Sequence, residues 1–295
     1  MNLVKELAAL IKFRVVLLST LSAVTGFVLA ARCIPIELPL FITGIFALAA
    51  GSAALNQFQE HRLDRLMERT RHRPIPTGQL APGQALGISL FLMVIGLAVL
   101  AAGFGVVPAL LGAVTIIFYN GIYTVLKRVT AFAALPGALV GALPPAIGWA
   151  AGGGNATSPV LIGLMAFFFL WQVPHFWLLL GVHAGDYRKA GFPSLTEIFS
   201  SDQLGRITFT WVLAAACAGM LFPLFGVFNH ALSPVFLAVA AVWLGLHAVP
   251  LTRLNRIGKK SAAQPLEPVF RRTFRDINIF ALLIMVILII DHGVL

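Results

Sequence analysis

The sequence predicts an all-α, polytopic membrane protein with nine transmembrane helices in a single membrane-embedded domain, residues 1–295. Three observations support this prediction: the apolar composition, the lengths of the apolar runs and the distribution of the basic residues. Apolar residues (AVILMFWYC) make up 59% of the chain and charged residues only 11%, whereas soluble domains are about 25% charged. No stretch is polar enough to form a second, soluble domain.

Nine apolar runs are each long enough to cross the hydrocarbon core of a bilayer as a helix, which takes about twenty residues. Their approximate limits are residues 14–32, 38–58, 84–103, 105–125, 131–151, 158–182, 207–228, 232–252 and 276–294. The first run begins close to the N-terminus, so we expect neither a cleavable signal peptide nor a transit segment. This favours a bacterial inner membrane as the location.

The basic residues separate the two sides of this arrangement. With nine spans, twenty of the twenty-one Lys and Arg residues fall on one side and only Arg32 falls on the other. Cytoplasmic loops carry the excess of Lys and Arg, so we predict a cytoplasmic N-terminus and an external C-terminus. The net charge of +10 therefore reports topology, and a basic loop at 253–275 is expected to contact anionic membrane lipid. No nucleic-acid partner is expected.

The stretch from Asn56 to Arg73 (NQFQEHRLDRLMERTRHR) follows the second run and is dense in charge. If the helix continues into it, Asn56, Glu60 and Asp64 fall at i, i+4 and i+8. Each step of four overshoots a full turn by only about 40°, so the three oxygen-bearing side chains share one stripe roughly 12 Å long.

The charges of this stretch are badly matched for a solvated helix face. Every charged pair at the i+4 spacing is like-charged, which is destabilising; the pairs are Glu60–Asp64, Asp64–Glu68, Arg65–Arg69 and Arg69–Arg73. An acidic stripe that holds a cation, beside a basic stripe that holds an anion, removes the conflict. Carboxylate and amide oxygens suit Mg²⁺, which bridges to substrate phosphates. We therefore favour a metal–phosphate site over a solvated face.

The fourth and sixth runs supply further candidates. Tyr119, Tyr123 and Lys127 follow at four-residue steps, which fits either an interfacial aromatic belt or a set of phosphate-binding groups. His175 lies inside the sixth run, where a histidine is either functional or hydrogen-bonded in the core. Asp186 alone is an ordinary loop residue, but paired with the first stripe it is a candidate second metal-binding corner.

Two segments leave alternatives open. The segment 141–149 (GALPPAIGW) places two prolines inside the fifth run, which fits a kink beside an internal cavity or ordinary helix packing. Lys12 and Arg14, where the first run begins, fit interfacial anchoring and snorkelling.

Together these residues resemble the UbiA superfamily of intramembrane prenyltransferases and, within it, the members that farnesylate haem. The superfamily motif Asn-x-x-x-Asp/Glu-x-x-x-Asp matches Asn56, Glu60 and Asp64. The remaining matches, in chain order, are Met67-Glu68-Arg69-Thr70, Arg73-Pro74-Ile75-Pro76, Tyr123-x-x-x-Lys127, GALPPAIGW, Pro174-His175-Phe176 and Asp186-Tyr187 with Pro193. The usual Lys-Pro-Arg near the start reads Lys12-Phe13-Arg14.

The resemblance implies a UbiA-type helical bundle that uses Mg²⁺ to transfer a farnesyl group from farnesyl diphosphate to haem B. It implies that the catalytic, metal-binding residues are Asn56, Glu60, Asp64 and Asp186. The diphosphate would be bound by Arg14, Arg69, Arg73, Tyr123 and Lys127. His175 is a candidate contact for the haem iron or a propionate. Proteins of haem biosynthesis or oxidase assembly are left open as partners.

Three other functions compete with this one. The same fold could act on an aromatic quinone precursor, which the Pro-His-Phe and Arg-Thr segments disfavour. A transporter would place its ionisable residues near the bilayer midplane, whereas the acids here cluster at one face. A non-catalytic assembly factor would not need the charge stripes.

Overall fold

The structure is a computed structural model that describes residues 3–254 and 266–293. Within these residues, nine helices are long and apolar enough to cross a membrane, which confirms the predicted fold class. The spans are Phe13–Ala31, Leu38–Asp64, Pro82–Phe104, Val106–Leu126, Ala131–Ala151, Pro159–Val182, Ser201–Phe225, Leu232–Arg253 and Glu267–Gly293. Arg256, Lys259 and Lys260 of the predicted basic loop lie outside the described residues.

The α-helices are labelled in chain order: α1 Leu3–Leu10, α2 Phe13–Ala31, α3 Leu38–Asp64, α4 Pro82–Phe104, α5 Val106–Ile116, α6 Thr124–Leu126, α7 Ala134–Ala151, α8 Pro159–Val182, α9 Ala184–Lys189, α10 Leu195–Ile198, α11 Ser201–Gly219, α12 Leu232–Ala248 and α13 Leu266–Gly293. A π-helical turn at Ile117–Tyr123 joins α5 to α6, so the fourth span is not a uniform α-helix. Such turns are rare and occur frequently at functional sites.

Three helices extend beyond the predicted apolar runs, all at the end that carries the basic residues. α3 continues to Asp64, α11 begins at Ser201 and α13 begins at Leu266. A hydropathy scan stops where polar residues begin, but the backbone hydrogen bonds of a helix do not. At the start of α11, for example, Ser200 accepts the backbone N–H of Gln203 and caps the helix.

Two glycines allow α2 and α7 to cross in backbone contact. A Cβ on Gly26 would collide with the carbonyl of Pro145, and a Cβ on Gly148 would collide with the carbonyl of Ala23. α7 is helical throughout, including its two internal prolines, which are both buried. Close helix packing therefore accounts for the small residues of segment 141–149.

The largest apolar core lies between α7, α8, α11, α12 and α13. At its centre Phe167 packs edge-on against Phe222 and Phe280, with ring centroids 5.9 and 6.1 Å apart. Edge-to-face contacts at these distances are favourable. This core holds α8 against α13.

The helical conformation is interrupted between α1 and α2. Lys12 has a left-handed backbone there (φ 53°, ψ 52°). Gln57 of α3 secures the break, because its Nε2 donates to the carbonyls of Ala9 (2.6 Å) and Leu10 (2.9 Å). Strain of this kind in a residue other than glycine concentrates at functional sites. The break directs the Lys12 side chain to α3.

Candidate active site

The predicted stripe is present on α3. The helix continues through Asp64, so Asn56, Glu60 and Asp64 follow one another at four-residue steps. The three residues are buried, with 1%, 5% and 1% of their surfaces exposed. Burying several oxygen donors on one helix face is costly unless each has a partner.

Lys12 is the partner of Asn56: its Nζ donates to Asn56 Oδ1 over 2.5 Å. The other end of the amide is held by Thr124, whose Oγ1 accepts from Asn56 Nδ2 over 2.9 Å. Thr124 in turn donates both its hydroxyl, over 2.8 Å, and its backbone N–H to the carbonyl of Tyr119. The second of these is the wide hydrogen bond of the π-turn. The turn therefore orients the Asn56 amide, with Oδ1 towards the basic side chain.

The two carboxylates of the stripe have basic partners of their own. Arg73 Nη1 donates to Asp64 Oδ2 over 2.8 Å. Lys127 Nζ lies 2.5 Å from Glu60 Oε1, yet this oxygen is sealed from solvent and has no partner in hydrogen-bonding geometry. The contact is an ion pair, because Coulomb attraction depends on distance whereas a hydrogen bond also requires a suitable angle. Each residue of the stripe is thus matched with one side-chain cation.

The basic groups of this cluster crowd one another. Burial, and then the neighbouring Arg73 guanidinium, lower the pKa of Lys12 from its ordinary value of 10.5 to about 7. Burial, and then Arg69, also lower the pKa of His183. An anion placed among these groups would offset their mutual repulsion and favour their charged forms.

The segment after α8 meets the segment after α3. The two carboxylate oxygens of Asp186 accept the backbone N–H groups of Glu68 (3.2 Å) and Arg69 (3.1 Å). Arg69 Nη2 donates to the Tyr187 hydroxyl over 3.5 Å, and its guanidinium lies 5.8 Å from the centre of that ring. Met67 is buried in a small apolar cluster between the two segments. The two polar motifs, distant in sequence, form one structural unit.

Aromatic rings connect this unit to the middle of α8. Lys127 Nζ lies 5.4 Å from the centre of the Tyr123 ring. Tyr123 stacks against Tyr119 and Phe176, with centroids 6.0 and 5.0 Å apart and planes inclined by 13° and 16°. His175 adjoins Phe176, with ring centroids 5.9 Å apart. The rings thus form a continuous row from the ion-pair cluster to His175.

This combination of motifs and fold identifies the family. The profile of the UbiA prenyltransferase family matches residues 17–271. The chain belongs to the UbiA prenyltransferase family. It is similar to the protoheme IX farnesyltransferase of Geobacter sulfurreducens, with 45% identity over 233 residues, 78% of this chain and 85% of that relative. It is also similar to the protoheme IX farnesyltransferase of Oleidesulfovibrio alaskensis, with 34% identity over 290 residues, 98% of this chain and 97% of that relative. The predicted resemblance is confirmed.

Solved structures share the fold of this UbiA-family protein. A structure of digeranylgeranylglyceryl phosphate synthase superposes with a TM-score of 0.74 over 100% of both chains, at 14% sequence identity. A UbiA homologue from Archaeoglobus fulgidus bound to GPP and Mg²⁺ superposes with a TM-score of 0.62 over 96% of this chain and 99% of that chain, also at 14% identity. At this level of identity the likeness establishes the fold.

The structure of this UbiA-family protein brings most of the predicted site residues into one contiguous cluster. These are Asn56, Glu60, Asp64, Arg69, Arg73, Tyr123, Lys127 and Asp186. Arg14 is exposed on α2 and takes part in none of the ion pairs of the described residues. Lys12, assigned to anchoring from the sequence, is in the cluster instead. The Lys12-Phe13-Arg14 segment was the available signal, but only the left-handed break decides which of the two cations turns inward.

The donor set fits Mg²⁺. Amide and carboxylate oxygens are the hard ligands this ion prefers, and three residues that carry them lie at four-residue steps on α3. Within the described part of the chain, no three His, Cys, Asp or Glu side chains stand close enough to hold one ion. An ion here would therefore also use the Asn56 amide, water and phosphate oxygens, as is common for Mg²⁺. Asp186 forms a separate corner, and the assignment of all four residues as ligands stays a prediction.

Proposed function

We propose that this protein is a membrane-bound prenyltransferase that moves the farnesyl group of farnesyl diphosphate to a vinyl group of haem B, giving haem O, with Mg²⁺ as cofactor. The observation that carries the proposal is that the Asp186 segment binds the segment directly after the α3 stripe, beside a partly buried set of basic side chains. The protoheme IX farnesyltransferases at 45% and 34% identity support a farnesyl donor and a haem acceptor. They favour haem over an aromatic quinone precursor.

Mg²⁺ would be held by Asn56, Glu60 and Asp64 at one corner and by Asp186 at the other. When bound, it supplies Lewis-acid charge that stabilises the departing diphosphate. Lys12, Arg73 and Lys127, which contact the stripe in the free protein, would be released to bind phosphate oxygens. In the free protein they balance the buried acids, and in the complex they balance the substrate.

The protein's own groups account for the rest of the ionisation step. Heterolysis of the allylic C–O bond leaves the electron pair on the diphosphate oxygen, where Arg69, Arg73 and Lys127 would stabilise the new charge. Because these cations would already be bound to the diphosphate when the C–O bond breaks, little reorganisation is needed at the moment of reaction. Tyr123 would add a hydroxyl to the same anion.

The farnesyl cation would then be attacked by the haem vinyl group. The vinyl π electrons form the new C–C bond, water adds to the adjacent vinyl carbon, and a proton is released. Farnesyl diphosphate, haem B and water thus give haem O and diphosphate. The faces of Tyr123 and Phe176 would attract the allylic cation, and the apolar bundle interior limits its early capture by water.

We further infer that the protein lies in a bacterial inner membrane with its N-terminus in the cytoplasm, its C-terminus outside and its active site at the cytoplasmic face. The support is the placement of twenty of the twenty-one basic residues on the side that carries the cluster. The farnesyl tail and the hydrocarbon part of the porphyrin are apolar, so both substrates would reach the site through the bilayer. Membrane lipid is therefore a partner, and haem-biosynthesis or oxidase-assembly proteins are further candidates.

The direct test is incubation of the purified protein with haem B, farnesyl diphosphate and Mg²⁺, followed by mass analysis of the porphyrin. We expect a gain equal to one farnesyl group plus one hydroxyl, and no gain when EDTA is present. A parallel incubation replaces haem B with 4-hydroxybenzoate. Prenylated 4-hydroxybenzoate together with unchanged haem would overturn the proposed acceptor while preserving the reaction class.

A further inference from the structure

His175 lies on α8 at the interface with α13 and is surrounded by aromatic rings. Its ring centroid is 4.8 Å from that of Trp171, 4.9 Å from that of Phe274 and 5.9 Å from that of Phe176. No carboxylate of the described residues is paired with it. A histidine in such surroundings is a neutral imidazole, so the position of its single proton determines what it can bind.

Asn278 of α13 determines that position. Its Nδ2 donates to the carbonyl of Phe274 in its own helix, which directs Oδ1 towards His175. Oδ1 lies 2.9 Å from His175 Nδ1. An amide oxygen can only accept, so Nδ1 is the ring nitrogen that carries the proton. Nε2 is therefore left with a lone pair.

The lone pair is available to a ligand. Nε2 has no hydrogen-bond partner among the described residues, and it is absent from the set of sealed, unpartnered polar atoms that includes Trp177 Nε1. It is therefore not fully enclosed by the protein's own atoms. A lone pair suits a Lewis acid such as iron and repels a carboxylate, so this tautomer favours the iron of a haem over a propionate.

The two helices that carry this pair are held in register. Trp171 Nε1 donates to the carbonyl of Ile277 over 3.0 Å, one residue before Asn278. Farther along α8, the Phe270 ring lies against Gly181, where a Cβ would collide with it. These contacts place the imidazole and its acceptor in a fixed relation, which is the usual arrangement for a metal-binding histidine and its hydrogen-bond partner.

We propose that His175 Nε2 is the axial ligand of the haem iron and that Asn278 is the positioning residue that sets its tautomer and orientation. This deepens the proposed function, because it rests on haem as the acceptor. A porphyrin held by His175 would lie beside Phe176, whose ring stacks on Tyr123 of the diphosphate cluster. Iron coordination would thus bring the acceptor to the place where the farnesyl cation forms.

The test measures binding without turnover. Haem B and metal-free protoporphyrin IX are each titrated into the purified protein in the absence of farnesyl diphosphate, with absorption and EPR spectra recorded for the haem complex. His175→Gly should lose the histidine-ligated spectrum and at least about tenfold in haem affinity, while protoporphyrin IX binds within about twofold of wild type. Added imidazole should restore the spectrum. His247→Ala is the matched control, because His247 also bonds through Nδ1 to an α13 side chain, that of Asp276.

Two variants test Asn278. Asn278→Leu removes the acceptor and should weaken haem binding by about tenfold, the typical cost of losing a hydrogen-bond partner of a metal ligand. Asn278→Asp keeps an acceptor, adds negative charge and should shift the haem midpoint potential downward. A positioning role predicts this shift in potential, whereas a purely structural role does not.

The proposal is overturned if His175→Gly leaves the haem spectrum unchanged, or if it weakens haem and protoporphyrin IX equally. It is also overturned for Asn278 if both variants keep the wild-type affinity and potential. The same preparations are assayed for farnesylation by mass. Wild-type turnover with an unaltered His175→Gly spectrum removes only this inference, whereas His175-dependent haem binding without any farnesyl transfer removes the proposed function.

Discussion

Two buried aspartates lie in different parts of the bundle and have different kinds of partners. Asp64, at the end of α3, is bound by the side chain of Arg73. Asp291, near the end of α13, is bound by the backbone N–H groups of Asn229 (2.6 Å) and His230 (3.2 Å) and by a serine hydroxyl. Asp64 is 1% exposed and Asp291 is 2% exposed, so burial alone does not distinguish them.

The distinction is whether the partner can be exchanged. A guanidinium on a long side chain can leave one anion and bind another, whereas backbone N–H groups cannot leave without unfolding their loop. We therefore propose that Asp64 can exchange Arg73 for a metal ion, whereas Asp291 is a structural link between α13 and the loop before α12. Asp186 is intermediate between the two. Backbone N–H groups bind it, as they bind Asp291, but it lies beside the basic side chains that bind the α3 stripe.

The largest expected difference is between Asp64→Asn and Asp291→Asn. Asp64→Asn should lower kcat/KM for farnesyl diphosphate by about 100- to 1000-fold, as expected when a group that stabilises transition-state charge is lost. Asp291→Asn should leave turnover per folded molecule near normal but lower Tm by several degrees, because two buried N–H groups lose a charged acceptor. Product mass analysis and thermal unfolding in detergent measure the two effects. An equal loss of turnover in both variants would contradict the proposal that Asp64 is functional and Asp291 structural.

Asp186 tests the intermediate case. Asp186→Ala should reduce kcat/KM by about 10- to 100-fold and increase hydrogen exchange at the Arg69 amide, because the turn that carries Arg69 loses its anchor. Asp186→Asn keeps one acceptor oxygen. It should therefore change hydrogen exchange at the Arg69 amide less than it lowers kcat/KM. Identical exchange at Arg69 in all three proteins would mean that Asp186 does not hold the turn.

Lys127 tests whether the cations serve the donor. Lys127→Ala should raise KM for farnesyl diphosphate by about tenfold or more, the value of one charge-assisted hydrogen bond. KM for haem B should change much less. Steady-state kinetics with each substrate varied in turn gives both values, and an unchanged KM and kcat with the diphosphate would contradict the assignment.

Lys12 and Arg14 are a matched pair two residues apart. Lys12→Met should raise KM for farnesyl diphosphate by about tenfold, because Lys12 contacts Asn56 and its ammonium would be released to the phosphate. Arg14→Met should remain within about twofold, since Arg14 is exposed and exposed charges contribute little. A larger rise in KM for Arg14→Met than for Lys12→Met would show that Arg14, and not Lys12, contacts the diphosphate.

Thr124 should give the smallest effect. Thr124→Val removes the acceptor that orients Asn56, so the apparent affinity for Mg²⁺ should fall about two- to tenfold, the net value of one hydrogen bond. Thr124→Ser keeps the hydroxyl and should recover most of it. The Mg²⁺ dependence of turnover at saturating farnesyl diphosphate is the measurement, and an identical deficit in Ser and Val would show that the methyl group matters rather than the hydroxyl.

Features that depend on local periodicity could be predicted from the sequence. Apolar run length locates all nine spans of the described chain, and the four-residue spacing places Asn56, Glu60 and Asp64 on one face of α3. The order of the motifs also anticipates that the segment carrying Asp186 returns to the end of α3. Each inference needs only the geometry of a helix and the alternation of membrane sides.

Contacts between helices could not be predicted in the same way. The choice of Lys12 over Arg14 depends on a left-handed residue secured by Gln57, and that contact belongs to the tertiary structure. Asn278 stands within an apolar run and carries no motif, yet it sets the proton on His175. Such partners are selected by helix rotation and packing, which hydropathy does not encode.

The π-turn at Ile117–Tyr123 has a consequence for engineering. It accommodates one residue more than an α-helical turn, so the fourth span has a built-in length tolerance. Deleting Gly121 should let the span relax to a regular helix of nearly unchanged length. The residues that follow would keep the helix face they occupy now, so Lys127 would still point to Glu60. In a regular α-helix the same deletion would rotate every later residue by about 100°, although the hydropathy would hardly change.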